Sequence, residues 1–210
     1  MKGSVKRNSA IYSNWIESII REKVVYWRNG SESCDEYLRT YGFFVTFTFD
    51  RGLLSSKKNE ASRREIPCGD IEMDEMRKLY NKVLRSFLGS NYSRRLDEAP
   101  LAIFSLDAEG TRFGMRNEPL QNLHVHSIWV MRPGQVEPYL GLLELVKSAP
   151  WKSGFAFDSI DIRRISKFSD PMGGASLLTS YLTKFQGQNA TRCQISNDLM
   201  IYPRLKQSAA

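Results

Sequence analysis

The chain has 210 residues, a mass of 24.1 kDa, 41% hydrophobic and 25% charged residues, and a formal charge of +7. This is the composition of one folded domain with a sizeable core, not of a disordered chain, and its basic excess suits a polyanionic partner such as nucleic acid. Apolar runs such as Phe43-Phe44-Val45 are too short to span a bilayer, no secretory core follows Met1, and Cys34, Cys68 and Cys193 form neither a disulfide framework nor a zinc pattern. A cytoplasmic protein with no membrane partner is expected, and the absence of a Gly-x4-Gly-Lys-Ser/Thr loop excludes a P-loop motor.

The spacing of Ile11, Tyr12, Trp15, Ile16, Ile19 and Ile20 predicts an amphipathic helix from Ser9, its cap, to about Lys23. A short helix follows over Cys34–Tyr41. Gly42 then opens Phe43-Phe44-Val45-Thr46-Phe47-Thr48-Phe49, whose aromatic and β-branched residues predict an interior strand. Residues 51–70 read as a basic loop. From Asp70 the pattern Met76, Leu79, Tyr80, Val83, Leu84, Phe87 and Leu88 predicts a helix stopped by Gly89. Strands are expected at Leu101–Asp107 and Leu123–Met131, a helix from Pro138 to Val146, a strand at Phe157–Ile165 and a helix over Ala175–Phe185. Little periodicity follows Gly187. This order predicts an α+β fold, a largely antiparallel sheet flanked by helices in a ferredoxin-like or RNA-recognition-motif arrangement.

The two histidines are His124 and His126. Residues two apart on a strand share a face, so both imidazoles suit one metal ion. Asp107 and Glu109 end the preceding strand with the same spacing, and one antiparallel register sets Glu109 opposite His124 and Asp107 opposite His126. Either acid would complete a two-histidine, one-carboxylate site, with Glu118 and Gln121 as alternatives in the connection. Tyr181 and Lys184 lie one turn apart on the last helix, beside Leu178, Leu182 and Phe185. Basic residues that suit phosphates are Lys57, Lys58, Arg63 and Arg64 in the loop, and Arg163, Arg164 and Lys167 near the last strand.

Taken in order, Val-Thr-Phe-Thr at Val45–Thr48, an acid at a strand end, His-Val-His at His124–His126 and Tyr-Leu-Thr-Lys at Tyr181–Lys184 resemble the HUH endonuclease superfamily. The likeness is to its single-tyrosine rolling-circle replication initiators of plasmids and small phages. It covers residues 42–187, leaving 1–41 as a helical extension and 188–210 as a tail. The resemblance implies that His124, His126 and Glu109, whose following glycine matches the family's strand end, hold Mn²⁺ or Mg²⁺. Asp107 would orient an imidazole or take the ligand role. Tyr181 would attack single-stranded or hairpin origin DNA to leave a 5′-phosphotyrosine, with Lys184 assisting; a host polymerase would extend the free 3′-hydroxyl, with a host replication helicase as a further partner. Many phage relatives carry a second tyrosine where Phe185 stands, which favours the single-tyrosine form. Two other classes compete: a non-catalytic binding module stacking bases on Phe43, Phe44, Phe47 and Phe49, and a single-tyrosine transposase.

Overall fold

The structure, a computed structural model, describes residues 2–28, 30–62, 70–108, 122–148, 154–168, 176–183 and 198–203. Helix α1 (Lys2–Trp27) leads into α2 (Cys34–Tyr41), which starts with a capping box between Ser33 and Glu36. Strand β1 (Gly42–Phe49) is followed by α3 (Arg51–Ser62) and α4 (Asp70–Leu88), then β2 (Leu101–Asp107) and β3 (His124–Val130). Helix α5 (Val136–Ser148), β4 (Phe157–Arg164), α6 (Leu177–Leu182) and β5 (Leu199–Tyr202) complete the described elements.

The five strands lie in the order β4-β1-β3-β2-β5, and every neighbouring pair is antiparallel. The α+β expectation holds. The run β1-α4-β2-β3-α5-β4 with sheet order 4-1-3-2 is the split βαβ, ferredoxin-like arrangement. β5 extends it at one edge.

Alternation along the strands divides the sheet into two faces. On one, Phe43, Val45, Phe47, Phe49, Phe104, Leu106, Val125 and Trp129 pack against Met76, Leu79, Tyr80, Val83 and Leu84 of α4 and Tyr139, Leu143 and Val146 of α5. On the other, Leu101, Ile103, Ile128 and Val130 meet Ile16, Ile19, Ile20 and Val24 of α1, Leu38 of α2 and Leu182 of α6. Each fully buried aliphatic side chain contributes roughly 1.5–3 kcal/mol. α1 is therefore a structural layer of this domain.

Four expectations are corrected. Residues 51–62 form a helix rather than a loop, because the Asp50 carboxylate accepts the Leu53 N–H at 2.8 Å and Leu54 is buried. Helix α1 starts before Ser9, and it does not bury Ile11, Tyr12 and Trp15, which are 59%, 40% and 45% exposed. Its buried side instead includes Ser13 and Glu17, which bond to α6 as described below. After Gly187, Leu199–Tyr202 pairs with Ala102–Ser105. The β2–β3 register also differs by two: Asp107 lies opposite His124 and Ser105 opposite His126.

Candidate active site

The α1/α6 face of the sheet changes character along its strands. Ile103, Ile128 and Ile201 form an apolar row, with Phe44 alongside on β1. The next row is Asp161, Thr46, His126, Ser105 and Leu199, and the one beyond is Ser159, Thr48, His124 and Asp107. Strand parity puts these polar side chains on one surface, directly beyond the end of the apolar core.

Asp107, His124 and His126 converge there as a possible metal-holding group. The Asp107 Oδ2 lies 3.4 Å from His124 Nε2 and 3.2 Å from His126 Nε2, and the two Nε2 atoms are 3.2 Å apart. The other Asp107 oxygen, Oδ1, accepts the Ala108 N–H at 2.9 Å. His124 Nδ1 is 3.1 Å from the Asn122 carbonyl oxygen, which can only accept, so Nδ1 carries the hydrogen and Nε2 of the neutral ring presents a lone pair. His126 Nδ1 lies 3.0 Å from Thr46 Oγ1, and a bond donated to that hydroxyl leaves its Nε2 equally basic.

With both rings unprotonated at Nε2, two imidazole lone pairs and a carboxylate oxygen at these distances repel one another, which a bound cation or a shared proton relieves. The three near-equal separations suit ligands on one face of a small divalent ion with bonds of about 2.0–2.2 Å. A two-histidine, one-carboxylate set leaves further coordination positions open for water or a substrate oxygen. Asp107 and His126 are almost wholly buried, whereas the His124 side chain is 21% exposed, so the group opens to solvent on the His124 side.

Tyr181 stands beside this group. Its ring centroid is 4.9 Å from that of His126, and Phe44 touches both, at 5.4 Å from His126 and 6.0 Å from Tyr181. The Tyr181 side is open, with 44% exposure. Helix α6 is pinned to α1: Ser13 Oγ is 2.8 Å from Thr179 Oγ1 and 3.3 Å from Ser180 Oγ. The Glu17 carboxylate accepts the Ser176 N–H at 2.7 Å and two bonds from Arg21, at 2.9 and 2.7 Å. Ser176 also caps α6 by accepting the Thr179 N–H.

The structure thus brings together His124, His126, Asp107 and Tyr181. Glu109, Lys184, Arg63, Arg64, Glu118 and Gln121 lie outside the described residues, as does the side chain of Lys58. Lys57 is engaged by the protein itself, with its ammonium 2.9 Å from the fully buried Glu75 carboxylate and donating to the Gly154 carbonyl. Arg164 donates to the Thr40 carbonyl and lies over the Phe43 ring. Arg163 is exposed, pairs with Asp161, and occupies the site face beside Phe44. Phe43, Phe47 and Phe49 are buried under the helices, which leaves Phe44 alone of the four to meet a ligand.

The sequence alone assigned no role to Asn122, Ser13 or Glu17, and named Thr46 only within the Val45–Thr48 motif and Phe44 only as a base-stacking candidate. Ser13 and Glu17 had a visible signal, since they are polar and fall in register with Ile16, Ile20 and Val24. No model of a known protein family matches the chain, and no curated protein or solved structure matches it significantly.

Proposed function

We propose that the protein is a divalent-metal-dependent endonuclease of the HUH type, which nicks and rejoins single-stranded DNA and so initiates rolling-circle replication of a plasmid or phage. The observation that carries the reading is the placement of Tyr181, ring to ring with His126, beside an Asp107/His124/His126 group suited to Mn²⁺ or Mg²⁺. When bound there, the ion would polarise the scissile phosphate and neutralise its charge. Bonds donated by each Nδ1 to Thr46 Oγ1 and the Asn122 carbonyl would leave both Nε2 atoms basic and free to hold it. The Tyr181 oxygen forms the new bond to phosphorus as the bond to the 3′-oxygen breaks, and the phenolic proton ends on the released 3′-hydroxyl. One phosphodiester replaces another, so the step is reversible without ATP, and the free 3′-hydroxyl can prime a host polymerase. Lys184, three residues after Tyr181, would offset charge on the reacting oxygens. Arg163 offers a phosphate contact on the same sheet face.

The test uses a 3′-end-labelled library of single-stranded oligonucleotides with Mn²⁺ and asks for an SDS-resistant protein–DNA adduct. The expected adduct maps to Tyr181, disappears with Tyr181→Phe and requires the metal. An adduct unchanged in that variant, or none from the wild type, counts against the reading.

A further inference from the structure

The N-terminal helix carries an apolar surface that the fold does not use. Ile11, Tyr12 and Trp15 are all substantially exposed, and the Tyr12 and Trp15 rings meet edge to face at 6.5 Å. Scattered surface hydrophobics need no explanation, but two adjacent aromatic rings in contact on one helix form a patch. The helix that carries the patch is bonded to the helix of the candidate nucleophile. Tyr12 precedes Ser13, whose hydroxyl is 3.3 Å from that of Ser180, the residue before Tyr181. With successive Cα atoms about 3.8 Å apart, the backbones of Tyr12 and Tyr181 are separated by no more than roughly 16 Å, a span of a few nucleotides of extended strand. The chain's formal charge of +7 also favours an anionic ligand.

We infer that Tyr12 and Trp15 form a base-stacking platform for the single-stranded DNA flanking the scissile phosphate. The inference rests on the endonuclease reading for its ligand. Aromatic rings beside cations are how single strands are held without sequence preference, since every base offers a π-face to stack while cations follow the phosphates. Exposed side chains on a helix anchored through Ser13 and Glu17 need no rearrangement to do this. The platform supplies affinity for bases, while the Asp107/His124/His126 group and Tyr181 act on the phosphate.

The experiment measures binding of a fluorescein-labelled oligodeoxythymidylate of about twenty nucleotides by anisotropy across a salt series, without added metal. Tyr12→Ala and Trp15→Ala are each expected to weaken binding about five- to a hundredfold, the range for a lost stacked base. The salt slope should stay unchanged because no phosphate contact is removed. Trp15→Phe should restore most of the affinity, and circular dichroism should report an intact fold in all three. Alanine variants that bind like the wild type overturn the platform and leave the endonuclease reading standing. A wild type with no affinity for single-stranded DNA overturns both. Variants whose sedimentation mass changes instead would assign the patch to self-association and overturn the platform.

Discussion

The Nδ1 of His124 lies 3.1 Å from the carbonyl oxygen of Asn122, a residue whose φ of 52° places it in the left-handed region. Asparagine tolerates that conformation better than most residues, and its side-chain oxygen accepts a bond from Arg51 at the start of α3. A loop residue with no place in the metal group thereby sets which nitrogen of His124 faces it. Asn122→Val, β-branched and disfavoured at positive φ, is expected to weaken Mn²⁺ affinity about ten- to a hundredfold, as for loss of a partner that orients a ligand. Asn122→Gly should retain most of it, because the carbonyl does the orienting. Calorimetric titration of both variants decides, and equal affinities for Val and wild type would remove the role.

Asp107 is expected to matter more than an orienting group would. Asp107→Ala should lower Mn²⁺ affinity by more than the roughly hundredfold upper range for such partners. Asp107→Asn, similar in shape but uncharged, should also bind poorly. Glu109→Ala, measured alongside, tests the other carboxylate that the sequence nominates. A larger loss at Glu109 than at Asp107 would transfer the ligand role.

Glu17 links the two helices that frame Tyr181. Its carboxylate is buried and accepts bonds from Arg21 and the Ser176 N–H. Glu17→Ala is expected to cost about 1.5–3 kcal/mol, typical of hydrogen bonds to a charged group, as read by urea denaturation. The same variant should form less covalent adduct while binding Mn²⁺ like the wild type, because it loosens α6 without touching the metal group. Unaltered adduct yield would show that α6 needs no such anchor.

Alkaline pH is expected to destabilise the protein. Burial pushes the Cys34 thiol up to about 11 and raises the phenols of Tyr37, Tyr80 and Tyr139 above their ordinary range. Below about pH 8 both folded and unfolded chains hold these protons, and stability does not depend on them. As pH rises further the unfolded chain releases protons that the folded chain retains, so unfolding becomes easier with each added unit. Urea midpoints should fall from about pH 9 upward and more steeply above about pH 10. Cys34→Ser should remove the earliest part of the decline. A midpoint that stays level to about pH 11 would contradict these shifts.

Much of this molecule was legible where burial wrote a period into the chain. The Phe43–Phe49 alternation, the stripe from Met76 to Leu88 and the His-x-His pair each became the expected strand, helix or shared face. Helix α3 was not legible, because Leu54 is its one buried residue among those described and its sequence is otherwise largely polar and basic. Four residues of β5 are too few for a period to show. The β2–β3 register was half legible. Parity fixed that Asp107 would share a face with both histidines, but shifts of two residues preserve parity, so the pairing partner depends on the connecting segment. Nothing local in the sequence says that a hydroxyl at position 13 meets one at position 179.

That last contact has a consequence for the order of synthesis. Helix α1 leaves the ribosome before the other described elements, with Ile16, Ile20 and Val24 on one stripe, and the sheet residues that cover them come from β2 and β3. Its hydroxyl partner on α6 is made 166 positions later. Contacts so distant in sequence are late events in folding, since they require the intervening chain to be closed into a loop. The candidate metal group, complete at His126, is therefore synthesised well before Tyr181. On the proposed function, a chain that stops short of Tyr181 would carry the candidate metal ligands without the nucleophile, and nicking competence would arrive only with α6.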